Sequence, residues 1–386
     1  MKKLVIITSH PIQYNSPVFE LLAKQCNLLV LYTLGEQKNY DLGFKRTIEW
    51  DLPLLEGYEF EFLENNAKQP GSHHFKGIDN PTLIYKVKAF KPDAILIYGW
   101  SYKSHLKAMR HFKGKIPIWF RGDSNLLDEK SALKKQLRHL FLKWLYTHID
   151  KAFYVGTANK AYYEAFGLKQ TQLVFAPHAI DNDRFKAFRL AEVHKLRNNL
   201  DIKDTEVLIT FAGKFEHKKD PELLLSAFKE QKKSDVHLLF VGNGELKTTL
   251  EAKVNSFPTS IKERVHFMDF QNQTQMPVIY QACDLFCLPS KGPGETWGLA
   301  VNEAMAAGKA VLVSSKVGCS KDLVKNGTNG YIFEAENKDD LVEKLEELTN
   351  NQTVLTKMGA QSSKIIEKWT IEKQSQIIVN ELNGIN

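Results

Sequence analysis

The chain has 386 residues, 43% of them hydrophobic and 25% charged, with 52 Lys and Arg against 45 Asp and Glu for a net charge of +7. That length suits two domains, and apolar runs such as 94–98 and 238–241 fall far short of the roughly 20 residues that cross a bilayer, which excludes an integral membrane helix. The four cysteines, Cys26, Cys283, Cys287 and Cys319, form no Cys-x2-Cys pair and read as reduced, structural thiols.

The first eleven residues carry two lysines and an apolar stretch of only about five residues, too short for a secretory leader. The stretch reads as a buried strand, and the protein as cytoplasmic. Further strands are expected at 28–32, 94–98, 116–120, 152–155 and 173–175, and then at 207–212, 237–241, 265–268, 285–288 and 310–313. Helical patterns lie between most of them, including 130–148, 221–228, 246–255, 298–307 and 364–382. Alternating strands and helices build parallel sheets, so the expected fold is α/β, two doubly wound domains in tandem. The polar stretch from Asp181 onward marks the boundary: 1–185, then 186–363, with 364–386 as a C-terminal helix able to pack back on the N-terminal domain. Ligands of open α/β sheets bind beyond the carboxyl ends of strands, which makes the cleft between the two domains the expected active site.

Charge is uneven. Residues 1–200 hold 30 Lys and Arg against 19 Asp and Glu, residues 201–386 hold 22 against 26, and 101–150 alone hold 11 against 4. Within that basic segment, Leu133, Leu137, Leu140, Phe141, Trp144 and Leu145 recur at helical spacing, while Lys130, Lys134, Lys135, Arg138 and Lys143 supply a polar face. Two readings stand: the apolar stripe packs on the sheet under solvated lysines, or residues 130–148 touch an anionic membrane.

The most informative stretch runs from Pro289 to Gly308. A strand gives way to a Gly/Pro loop and then to a helix starting near Gly298, whose first N–H groups make an anion site suited to phosphate. Glu295 precedes the helix and Glu303 lies roughly two turns along it, a layout of charge that fits a sugar nucleotide. The spacing Glu295-x7-Glu303, flanked by Leu-Pro-Ser and Glu-Ala-Met-Ala-Ala-Gly, resembles the motif of the retaining glycosyltransferases of family 4, which have the GT-B fold of two facing Rossmann-like domains.

The resemblance extends over roughly 205–335. Gly213-Lys214 and Lys219 are similar to the family's Gly-Arg loop and later lysine, which hold the donor diphosphate; Lys at 214 keeps the charge but loses the bidentate fork. The resemblance implies that Glu295 binds the donor sugar and Glu303 the ribose. Gly213, Thr296, Gly298 and Leu299 would line the donor site, and the loop after Phe270 would hold the base. Placed cations stabilise a leaving diphosphate most as its charge develops. Neither a metal nor a cofactor is implied; Asp181-Asn182-Asp183 reads as a turn and helix cap, and His73-His74 as a surface or acceptor loop.

The N-terminal half resembles the family more loosely, with features of a bacterial surface-polysaccharide subgroup. His10, Gln13 and Tyr14 follow the first strand as candidates to orient an acceptor hydroxyl, with Pro11 as a simple turn former the alternative. Arg121 and Asp123 stand where the family often has a histidine, as candidates for anion binding and proton acceptance or as a structural turn. The expected activity is transfer of a sugar from a nucleotide-diphosphate sugar to a saccharide or lipid-linked acceptor. A sugar-nucleotide 2-epimerase of the same fold is the alternative, and the Glu-x7-Glu spacing argues against it. A nucleic-acid binder would rest on net charge alone and lacks any aromatic-interleaved basic motif, so no nucleic-acid partner is expected.

Overall fold

The computed structural model describes residues 1–36, 40–41, 46–47, 49–127 and 132–385. Its strands are β1 (Lys3–Thr8), β2 (Asn27–Tyr32), β3 (Tyr40–Asp41), β4 (Arg46–Thr47), β5 (Glu59–Phe62), β6 (Ala94–Tyr98), β7 (Ile118–Arg121), β8 (Lys151–Tyr154) and β9 (Leu173–Phe175). They continue with β10 (Val207–Ala212), β11 (Val236–Val241), β12 (Val265–Met268), β13 (Leu285–Leu288), β14 (Ala310–Ser314) and β15 (Gly330–Phe333). One parallel sheet has the order β5-β2-β1-β6-β7-β8-β9, and a second has the order β12-β11-β10-β13-β14-β15. Every residue of β10 and of β11 is buried, which is why these strands read as unbroken apolar runs rather than as alternating ones.

The helices of the first half are α1 (Ser16–Ala23), α2 (Leu83–Phe90), α3 (Lys103–Phe112), α4 (Ala132–Tyr146) and α5 (Thr157–Ala165). Those of the second half are α6 (Asn182–Lys186), α7 (Leu190–Asn199), α8 (Pro221–Phe228), α9 (Lys247–Asn255), α10 (Thr259–Lys262), α11 (Met276–Ala282) and α12 (Leu299–Ala306). The last four are α13 (Ser320–Leu323), α14 (Lys338–Thr349), α15 (Gln352–Ile366) and α16 (Ile371–Asn383).

The chain divides into two compact units: 1–38, 52–178 and 371–386 form one, and 39–51 with 179–370 form the other. In the first, Val5, Ile7, Ile95, Ile97, Ile118 and Phe120 make a core with Leu83 and Val87 of α2, Met109 and Phe112 of α3, Leu142, Leu145 and Tyr146 of α4, and Tyr162, Tyr163 and Phe166 of α5. The alternate residues Leu4, Ile6, Leu28 and Val30 are equally buried and face the other side, where right-handed crossovers place α1. There α16 packs against α1, helped by an ion pair between Lys151 and Glu381 and by Lys373 lying over the Phe175 ring at 5.6 Å.

The segments meet the unit division differently from the sequence reading. The polar stretch from Asp181 is not a linker: Asp181 Oδ1 accepts from Arg184 N and caps α6. Arg184 in turn donates to the carbonyl and side-chain oxygens of Gln273 at 2.5 and 2.7 Å, which fixes α6 to the second unit. The expected helix 364–382 is two helices, because the chain leaves α15 after Ile366 and Thr370 pairs with Ile180 in an isolated bridge before α16 begins. The strands β5 and β15 had no sequence expectation; Glu59 and Glu61 on β5 break up its apolar pattern. Of the two readings left open for α4, packing of the whole apolar stripe on the sheet does not hold. Leu142, Leu145 and Tyr146 are its buried side chains, and Leu137, Leu140, Phe141 and Trp144 point outward, since the helix carries two apolar faces and only one fits the core. Leu133, Lys134 and Lys135 lie outside the described side chains, and Lys130 lies outside the described residues.

Candidate active site

In the second sheet β10 lies between β11 and β13, so the chain steps one way from β10 to β11 and later returns to its other side. Such a reversal opens a crevice at the carboxyl ends of the two strands, the usual ligand position in open α/β sheets. Gly213 follows β10 and Pro289 follows β13. Two glycines shape the floor. Gly242 lies so close to Gly213 that a side chain there would sit 1.9 Å from the Gly213 carbonyl oxygen, and Gly318 packs on the Thr296 carbonyl with 1.7 Å for the same test. Any other residue at either position would push the loops apart.

The two loops are tied together. Lys291 N donates to Lys218 O at 2.9 Å, and Lys291 Nζ lies 3.4 Å from the Asp220 carboxylate. Burial raises the Asp220 carboxyl above its ordinary value, and Lys291 opposes that rise. This tie fixes the turn 217–219 that carries Lys219. Lys219 Nζ then sits 2.5 Å from Glu295 Oε2, with the two side chains only 17% and 8% exposed. Ser290 Oγ donates to the same oxygen at 2.8 Å. Two of the expected site residues, distant by 76 positions in sequence, are thus one ion pair, oriented by a serine that had no expected role beyond its place in Leu-Pro-Ser.

Helix α12 begins at this pair. Its cap is Gly298 at φ +95°, which makes no side-chain cap hydrogen bond, so the N–H groups of the first turn, starting at Leu299, form the anion-binding end of an eight-residue helix. Trp297 is buried and its Nε1 donates to Asn302 Oδ1 at 2.9 Å, fixing the entry angle. Glu303 is 3% exposed, and its Oε2 accepts from Tyr280 OH of α11 at 2.7 Å. Nothing in the sequence pointed to Tyr280. Below the loop, burial first and then the Glu295 charge raise the Cys319 thiol well above its ordinary value, which leaves a neutral group under the ion pair. Lys214, Gly213 and Thr296 are all part-buried on these same loops.

Phe270, just past β12, meets an unexpected neighbour. The Trp50 ring lies 6.2 Å from it, edge-on at 60°. Asn272 Nδ2 donates to Glu49 O at 2.7 Å, and Thr274 donates to the Asp51 carboxylate from both N and Oγ1. The segment 49–51 therefore clasps the 270–274 loop from more than 200 residues away, a contact that no local sequence pattern could reveal.

The first unit treats its candidates otherwise. Arg121, at the end of β7, is 3% exposed, and its guanidinium donates to the carbonyls of Ala176 and Pro177 at 2.9 Å each. Of the two roles left open for it, the structural turn is the one the geometry supports, because those carbonyls follow β9 and would otherwise be buried unpaired. His178, for which no role of its own was expected, is held down to about 4 by burial and then by Arg121, with Asp123 opposing. Asp123 itself is part-buried on the loop after β7. His10 Nδ1 is bonded to Ser9 Oγ at 2.9 Å, and His10, Gln13 and Tyr14 are all part-buried in the turn between β1 and α1. His73 and His74 contact each other edge-on, and His74 Nε2 bonds to the Gln69 carbonyl.

Residues 192–365 match the family model described as Glycosyl transferases group 1. All of the matched residues lie in the second unit. An uncharacterized glycosyltransferase of Methanocaldococcus jannaschii is 30% identical over 146 residues, 38% of this chain and 36% of that protein. A Campylobacter jejuni alpha-1,4-N-acetyl-D-galactosaminyltransferase, named for a GalNAc- and diNAcBac-containing PP-undecaprenol, is 24% identical over 77% of this chain and 79% of its own. The chain spans about 36 to 53% of the length of the first curated relatives it matches. In fold it is similar to Anabaena HepE, solved with UDP and glucose, at a TM-score of 0.73 and 17% identity, covering 99% of this chain and all of that one. The expected GT-B class, with its two Rossmann-like doubly wound sheets, holds.

Proposed function

We propose that the chain is a retaining glycosyltransferase of family 4 that moves a sugar from a nucleotide-diphosphate sugar to an acceptor hydroxyl in bacterial polysaccharide or glycolipid synthesis. The acceptor is a saccharide or a lipid-linked saccharide, and the work is done at the cytoplasmic face of the membrane. One observation carries the reading: the buried Lys219–Glu295 pair beside the uncapped start of α12, at the strand-order reversal of a group 1 domain. The first amides of α12 and the Lys214 and Lys219 ammonium groups receive the diphosphate. Glu295 then exchanges part of its contact with Lys219 for sugar hydroxyls, and Glu303, oriented by Tyr280, accepts from the ribose hydroxyls. As the sugar–phosphate bond breaks, negative charge grows on the diphosphate beside cations that are already placed, so little reorganisation is needed. The Anabaena neighbour solved with UDP and glucose supports a nucleotide sugar as donor, and the Campylobacter relative's name supports a lipid-diphosphate-linked acceptor. Side-chain cations and helix amides supply the charge balance, so neither a metal nor a cofactor beyond the donor is needed.

The test is sugar release and transfer from a panel of nucleotide sugars, with the anomeric configuration of the product read by NMR. Wild type should transfer with retention, and Glu303→Gln should raise the donor KM at least tenfold while the fold persists. Inversion would remove the family 4 assignment; an unchanged KM would remove Glu303 from the donor site.

A further inference from the structure

Helix α4 solves its burial problem in an unusual way. Leu142, Leu145 and Tyr146 enter the core, yet Leu137 is 69% exposed, Leu140 66%, Trp144 41% and Phe141 36%. Positions 137, 140, 141 and 144 lie on one helical face, so these side chains form a single outward stripe. It continues onto neighbouring structure, because the Trp100 ring lies 5.5 Å from Phe141 and the Arg110 guanidinium of α3 lies 5.9 Å from the Trp144 ring.

The rim of this stripe has one sign. Lys107, Arg110, Lys113 and Lys115 of α3 and its following turn are exposed, as are Arg138 and Lys143 of α4. Neither 94–122 nor 130–149 contains an Asp or Glu. Burial and then Lys115, Lys88 and Lys107 hold His111 below its ordinary value, in keeping with a local surplus of positive charge. A solvated helix face needs no aliphatic stripe, and a contiguous exposed apolar patch marks an interaction surface. A nucleic acid would use the cations but offers little to Leu137 and Leu140. An anionic bilayer uses both: headgroups pair with the basic rim while leucines and an aromatic ring enter the acyl boundary.

We propose that α4, with the adjoining edge of α3, docks this protein onto an anionic lipid surface, inserting Leu137, Leu140 and Trp144 inside a ring of Lys and Arg. Described residues include no helix long and apolar enough to span a membrane, so the contact is interfacial. This proposal is independent of the donor chemistry, since it concerns a face outside the donor loops.

The test is flotation of the full chain with vesicles of phosphatidylcholine alone or of phosphatidylcholine mixed with phosphatidylglycerol. The wild type should float with the anionic vesicles and stay behind with the neutral ones. Each basic residue near such a surface contributes about fivefold in partitioning, so Arg110→Glu with Lys143→Glu should cut binding at least tenfold. Leu137→Ser with Leu140→Ser should also cut it at least tenfold with all charges kept. Because these four side chains are exposed, the thermal midpoints should match wild type, and Phe188→Ser, a change at a 97% exposed position elsewhere, should bind as wild type does. Wild-type protein that does not float, or leucine variants that float as well as wild type, would overturn the proposal. So would sedimentation showing a dimer that only the leucine variants lose, which would give the face to a second copy of the chain.

Discussion

The two sheets bury a cation at their carboxyl edges in opposite ways. Lys219 reaches Glu295 across two loops tied by the Lys291–Lys218 and Lys291–Asp220 contacts, beside a helix start whose glycine cap offers no side-chain hydrogen bond. Arg121 is more deeply buried, and it faces two backbone carbonyls of its own unit. A cation paired with a side chain can exchange that partner for a ligand; a cation holding up the backbone cannot leave without exposing it. The reversal of strand order accounts for the difference in place. Lys219 sits at the β10/β13 crevice, whereas the reversal in the first sheet lies between β1 and β6, one strand away from Arg121.

Replacing the two cations in turn should separate these roles. Lys219→Met should lower transfer by about 10²–10³-fold, with partial rescue in Lys219→Arg. Arg121→Met should leave nucleotide affinity unchanged but cost about 3 kcal/mol of stability, two charge-assisted hydrogen bonds to otherwise buried carbonyls, seen as a drop in thermal midpoint. If Arg121→Met instead weakened donor binding without a stability loss, the distinction between the two edges would fail.

Protonation gives a second handle. Burial holds His105, His178 and His266 at about 4, against an ordinary 6.5. The folded protein resists protons that the unfolded chain accepts, so stability is fully present above about pH 6.5 and is lost as pH falls towards 4. Each such histidine contributes a slope of about 1.4 kcal/mol per pH unit in that window. His105, on α3, is bonded on both sides, to Gly99 O and Thr33 Oγ1, while His266 is part-buried on β12, an end strand of the second sheet, with its Nε2 3.1 Å from His237 Nδ1. Denaturant titrations at several pH values should therefore show a flatter acid limb for His266→Gln, and an unchanged limb would contradict the assignment.

The smallest effect belongs to the clasp. Asp51→Ala removes the acceptor for Thr274, and should cost about 1 kcal/mol of stability with a severalfold rise in donor KM if Phe270 belongs to the base site. A stability loss without any change in KM would make the clasp purely structural.

What the sequence could reveal follows the same physics. Helix α8 begins and ends where proline and the apolar pattern place it, and Lys219, Glu295 and Glu303 were legible because motif spacing along a strand, loop and helix is a local property. Tyr280, Ser290 and Trp50 acquire their roles only from contacts that folding creates. Arg121 was ambiguous because no pattern near it shows the carbonyls of Ala176 and Pro177. In α4 the periodicity was legible but the buried face was not, and of the two readings left open it is the packing of the stripe on the sheet that Leu137, Leu140, Phe141 and Trp144 do not follow: Leu137 and Leu142 are equally apolar, and only packing decides which one enters the core.

The most direct test is nucleotide binding itself, by thermal shift of wild type and Lys219→Met against UDP, GDP and ADP. A ligand at a hundred times its dissociation constant stabilises by about 2.7 kcal/mol, so one of these nucleotides should raise the wild-type midpoint by several degrees and leave the variant unmoved. A panel that shifts neither protein, or shifts both equally, would contradict a donor site at the Lys219–Glu295 pair.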